Sequence, residues 1–62
     1  MRWYMAEYSG NTDDQYEQFE TDEDAIVWFT SISKDEEGLD LVEIFRCADD
    51  EFLTPEDHPI WH

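Results

Sequence analysis

The sequence predicts an α+β fold, a small, mainly antiparallel sheet with one helix packed on one face, in the order β-β-α-β-β. Three observations carry that reading. The chain opens on an alternating aromatic stretch, RWYMAEYS; apolar residues then recur at helical spacing between Thr21 and Gly38; and a second apolar run, LDLVEIFRC, follows that glycine.

Taking the elements in order, 2–9 puts Trp3, Met5 and Glu7 on one face and Tyr4, Ala6 and Tyr8 on the other, the period of a strand. The stretch 10–14, Gly-Asn-Thr-Asp-Asp, is turn chemistry, and 15–20 can return as the second arm of a hairpin. Thr21 with Asp24 three residues on resembles a capping box. Ala25, Ile26, Phe29 and Ile32 then form an apolar stripe flanked by Trp28, and Gly38 offers a stop, which predicts a helix over 22–34. Residues 39–47 read as a third strand, apolar on both faces through Leu41, Val42, Ile44 and Phe45 and therefore expected to be central. A turn at 48–51 leads to a short fourth strand at 52–54, ended by Pro55, and 55–62, with two prolines, is expected to be irregular.

The chain of 62 residues makes one domain, with a core near the lower limit for unaided folding. Three Trp, three Tyr and four Phe supply large buried area per residue, which favours a packed domain over the disorder common in acidic chains. The lone Cys47 has no partner for an internal disulfide, and no apolar segment resembles a signal peptide or a membrane span, so a reducing cytoplasm is expected.

Charge dominates the composition. Eighteen Asp and Glu oppose only Arg2, Lys34 and Arg46, for a net charge of −15. Such an imbalance destabilises the compact state by self-repulsion and exceeds what solubility needs. It argues against nucleic acid or an anionic membrane as direct partner and for a basic protein. The placement is also unusual. Asp22, Glu23 and Asp24 suit a helix N-terminus, but Asp35, Glu36 and Glu37 crowd the end whose dipole favours cations, at about 0.3–1 kcal/mol each.

In the expected topology the helix runs back along the sheet. Its C-terminal acids then join Asp13 and Asp14 at one pole, while Asp22, Glu23 and Asp24 approach Asp49, Asp50 and Glu51 at the other, with Glu17, Glu20, Asp40 and Glu43 able to bridge the two. A helix of that length spans about 20 Å, the axial distance of about six phosphates along one DNA strand. Carboxylates two apart on a strand, or four apart on a helix, repeat at about 6 Å and can sit in rows. Arg accepts a carboxylate in the same bidentate manner as a phosphate.

Other chemistries find little support. No nucleophile elbow or phosphate loop occurs, and the acid runs lack the contrasting environments that acid–base catalysis requires, so no enzyme and no cofactor are expected. Placing Gly38 at the sixth position of a calcium loop leaves Ser33 first and Ile44 twelfth, where carboxylates belong. Pro59 between His58 and His62 breaks the helix that metal ligation at that spacing would use, so no dedicated metal site is expected.

A chain this short, acidic, aromatic-rich and of mixed α+β pattern resembles the small phage-encoded anti-CRISPR proteins that act as DNA mimics. That resemblance implies a non-enzymatic inhibitor in the host bacterial cytoplasm. Its target would be the basic groove of a type I Cascade complex that reads the protospacer-adjacent motif. The expected partner-binding residues are Asp13, Asp14, Glu17, Asp35, Glu36, Glu37 and Glu43. The alternative is an interaction or regulatory module. One helix covers only one sheet face, leaving Trp3, Leu41 or Phe45 open to a partner or a second copy, so a monomer is expected with a dimer as the alternative.

Overall fold

The computed structural model describes residues 1–10, 13–35 and 38–62, with 33–35 described by their backbone alone. Strands β1 (Arg2–Ser9), β2 (Gln15–Phe19) and β3 (Asp40–Arg46) form one antiparallel sheet in the order β2-β1-β3, and helix α1 (Asp22–Asp35) lies between β2 and β3 in the chain. The α+β class with one helix over one sheet face is as the patterning predicts.

The even-numbered side chains of β1 face the helix. Tyr4, Ala6 and Tyr8 pack with Ala25 and Phe29 of α1 and Ile44 of β3, and five of these six residues, all but Tyr8, are wholly shielded from water. The Tyr8 hydroxyl donates to the Phe29 carbonyl oxygen at 2.8 Å, so the buried phenol is satisfied while tying strand to helix. Thr21 caps α1: its Oγ1 accepts from the Asp24 amide at 3.1 Å.

Two expectations about the sheet are corrected. β3 is not central, because β1 is; β3 has β1 on one side and, on the other, isolated bridges to the C-terminal segment. Its two-faced apolar pattern has another origin. Glu7 stands opposite Glu43 and Tyr8 opposite Leu41, so Val42 is an extra residue, a bulge that turns Leu41 to the helix side where it packs on the core.

Nor do 52–54 form a fourth strand. The Asp50 carboxylate accepts from the amides of Phe52 (3.0 Å) and Thr54 (3.2 Å), Leu53 adopts a φ of 51°, and Phe52 projects into solvent. The aspartate thus takes the backbone donors that a strand would use. Those hydrogen bonds also hold the Asp50 carboxyl below its usual range. The segment 55–62 contains no strand or helix, as expected, and runs along the outer edge of β3 through isolated bridges. The Ile44 amide donates to Trp61 O (3.0 Å) and the Ile60 amide to Ile44 O (2.8 Å), while Ile60 and Trp61 close the core.

The turn after β1 abuts the connection after α1. Gly10 has a φ of +84°, and a Cβ placed on it would lie 2.2 Å from the Gly38 carbonyl oxygen. Gly38 has a similar φ, +85°, but open space around it. Gly10→Ala should therefore lower stability by roughly 2 kcal/mol or more, combining left-handed strain with a backbone clash. Gly38→Ala should lose only about 1 kcal/mol. Urea titrations of the pair check this, and equal losses would show that the contact between the turns is unimportant.

Candidate functional site

The contact between Gly10 and Gly38 brings the β1–β2 turn and the α1–β3 connection to one end of the molecule. Asp13 and Asp14, both exposed, belong to that turn, and Asp40 opens β3 opposite Ser9. The backbone of α1 ends there at Asp35. The Asp35 side chain and all of Glu36 and Glu37 lie outside the described residues. The Tyr16 hydroxyl is pushed up by burial first and by the Asp14 carboxylate second, which marks the acidic field at this end.

The opposite end, at the N-terminus of α1, is chemically different because it holds both arginines. Arg46 makes a bidentate pair with Asp22, its Nε donating to Oδ1 at 2.9 Å, and the Tyr4 hydroxyl donates to the same oxygen at 2.7 Å. Arg2 pairs with Glu56 at 3.1 Å and borders the same surface, and Asp49 lies near it. Two of the chain's three basic residues thus neutralise carboxylates at one pole. The third, Lys34, falls in the last turn of α1, its side chain outside the described residues.

The hydrogen bond from Arg46 holds the Asp22 carboxyl below its usual value against the opposing effect of burial, and Tyr4 adds to the lowering. Burial, then the neighbouring Asp22 carboxylate, pushes the Tyr4 hydroxyl up to about 12. A depressed carboxyl contributes stability that is present above its unfolded pKa and lost as pH falls through the folded one. Asp22→Asn should therefore cost about 1 kcal/mol at neutral pH, a value reduced by partial exposure. The gap between the two proteins should close as pH falls below the ordinary carboxylate range and the wild-type carboxyl protonates in its turn. Denaturant titrations across that range check the sign, and a gap that persisted in acid would exclude the ion pair as its source.

Not all the expected site residues share a surface. Glu17 stands opposite Tyr4 and so lies on the helix side of edge strand β2. Glu43 stands opposite Glu7, on the other face and on β3. β1 runs between them, so the two do not form one row bridging the poles. Glu7 is an acidic neighbour of Glu43 that sequence reasoning missed. Alternation placed it on the Trp3 and Met5 face, but its pairing with Glu43 depends on register, and two like charges directly opposite are unfavourable. Glu43→Lys should raise stability by about 0.5 kcal/mol by making the pair attractive. Thermal melts at low salt read this out, and a drop in melting temperature would contradict it.

On this open face Met5 is buried, Trp3 and Phe45 are half-buried, and Tyr16, opposite Met5, is 40% exposed. Leu41, one of the three residues expected to be open there, is on the helix side instead. Among the described residues no three His, Cys, Asp or Glu side chains converge as metal ligands, and no helix is long and apolar enough to cross a membrane. The chain matches no protein-family model, and no curated protein or solved structure is similar to it.

Proposed function

We propose that this protein is a non-enzymatic inhibitor whose carboxylates occupy the basic nucleic-acid groove of a partner protein, in the manner of DNA-mimicking anti-CRISPR proteins. The PAM-reading site of a type I Cascade complex is the target class. The observation that carries the reading is the one-sided placement of the arginines. Both arginines are committed to Asp22 and Glu56 at one end, while Asp13, Asp14 and Asp40 gather at the other. The domain is 32 Å long, the axial span of about nine phosphates on one DNA strand. The Glu7–Glu43 pair adds like charges where a stabilising pair was open to selection. Association of such a surface with a basic groove is fast and salt-dependent.

The test is competition. Purified type I Cascade is mixed with a PAM-containing duplex and increasing amounts of the protein, and bound duplex is read by gel shift and fluorescence anisotropy. Displacement of the duplex is expected, with the protein's own affinity for Cascade falling steeply as salt rises. Simultaneous binding of duplex and protein, or no binding to Cascade, would overturn the assignment of target. Binding unchanged up to about 0.5 M salt, where screening lengths shorten to a few ångströms, would favour the alternative. In that second reading the partner docks on the open sheet face around Trp3 and Phe45, as in an interaction or regulatory module.

A further inference from the structure

Apart from the acidic pole, an apolar groove runs between α1 and the free edge of β2. β2 is an edge strand of the sheet, so one side of its backbone carries donors and acceptors that β1 does not use. Asp24, Val27 and Trp28, three and four residues apart on α1, lie beside that edge. Together with Phe19 and Glu20 they line a groove of about 400 Å³.

The groove is apolar at its centre and acidic at its rim. Val27 is 68% exposed and Trp28 48% exposed, which the core packing of α1 does not require. Trp28 is nevertheless held in place. Its ring lies 6.2 Å from Phe19, which in turn lies 5.6 Å from Phe29 and 5.9 Å from Tyr4, a string of aromatic contacts leading from core to surface. A half-exposed tryptophan held against the partly buried Phe19 makes an anchor for a partner, because little ordering entropy remains to be lost on binding. Glu20 and Asp24 stand at one end of the groove, and Glu17 projects on the same side from β2.

We propose that this groove receives an extended basic segment of a partner protein, which adds to β2 as a fourth strand beneath α1. The free backbone edge selects an extended chain over a helix, since only a strand satisfies those groups in series. Register sets the pattern of side chains. Opposite Phe19 and under Trp28 the segment carries an apolar residue, and two positions away, opposite Glu17, it carries Lys or Arg, so that apolar meets apolar and cation meets anion along one face. Charge complementarity also excludes a second copy as the occupant, because pairing two edges would juxtapose two chains of net charge −15. This inference goes beyond the nucleic-acid-mimic reading and does not depend on it.

The probe is a capped seven-residue peptide, Thr-Lys-Thr-Val-Thr-Lys-Thr, titrated into the ¹⁵N-labelled full chain at about 0.15 M salt. Expected are shifts and slowed hydrogen exchange confined to β2 amides, together with a shift of the Trp28 indole N–H. Trp28→Ala should weaken the peptide at least tenfold, and so should Asp24→Lys with Glu20→Lys. Both changes are at exposed groups, and the dispersed spectrum of each variant confirms that it folds. Charge reversal at Asp13 and Asp14, which abolishes duplex competition on the mimic reading, should leave peptide binding within about twofold. A peptide with Glu in place of Lys should not bind. Shifts centred on the acidic pole, equal binding by the acidic peptide, indifference to Trp28→Ala, self-association through β2, or no binding at millimolar peptide would each overturn the proposal.

Discussion

Phe29→Ala should leave the chain largely unfolded at room temperature. Phe29 is fully buried at the centre of the core, its ring edge-on to Phe19 at 5.6 Å and packed with β1. Truncating a buried phenylalanine costs about 3–5 kcal/mol. A domain this small has a total stability of roughly 3–9 kcal/mol, and here self-repulsion works against it. The Phe29 carbonyl, which accepts the Tyr8 hydroxyl, is retained in the variant, so the loss reports on packing. Far-UV circular dichroism and urea titration should show a collapsed folding transition, partly restored by added salt as repulsion is screened. A loss below about 2 kcal/mol would mean that the core tolerates the cavity by closing around it.

The second large effect is on binding. Reversing Asp13, Asp14, Glu36 and Glu37 to Lys should weaken association with a basic partner by roughly two to three orders of magnitude, if each reversal removes about 1 kcal/mol of attraction. Stability should stay level or rise, since the same change relieves repulsion within the chain. Reversing Glu23, Asp49, Glu51 and Asp57, four exposed acids at the end where both arginines sit, is the matched control and should have a much smaller effect. Anisotropy titrations against the partner, run beside thermal melts, separate the two quantities. Equal losses from both variants would show that net charge rather than its placement governs binding.

The two experiments act on different links of one chain of cause. Phe29 supports the packing that holds Gly10 against Gly38, and that contact is what brings Asp13 and Asp14 to the same end as the close of α1. The acidic pole therefore depends on a core that its own charge strains.

Much of the local structure was legible in the residues. The helix expected over 22–34 runs over Asp22–Asp35, with Thr21 capping it, and the first strand keeps its expected limits, Arg2–Ser9. Helical spacing of Ala25, Phe29 and Ile32 and alternation of Tyr4, Ala6 and Tyr8 are properties of near neighbours, and near neighbours are what a sequence displays. The short strand expected over 52–54 failed because one side chain, Asp50, outbid the sheet for backbone amides.

The candidate site was legible only in its chemistry. Net charge, the abundance of carboxylates and the acids placed against the helix dipole follow from composition and order alone. The gathering of both arginines at one end, the meeting of Glu7 with Glu43, the separation of Glu17 from Glu43 and the bulge at Val42 were decided by tertiary structure. Each depends on strand order and register, which arise from contacts between residues far apart in the chain, where a shift of one position turns a side chain to the opposite face.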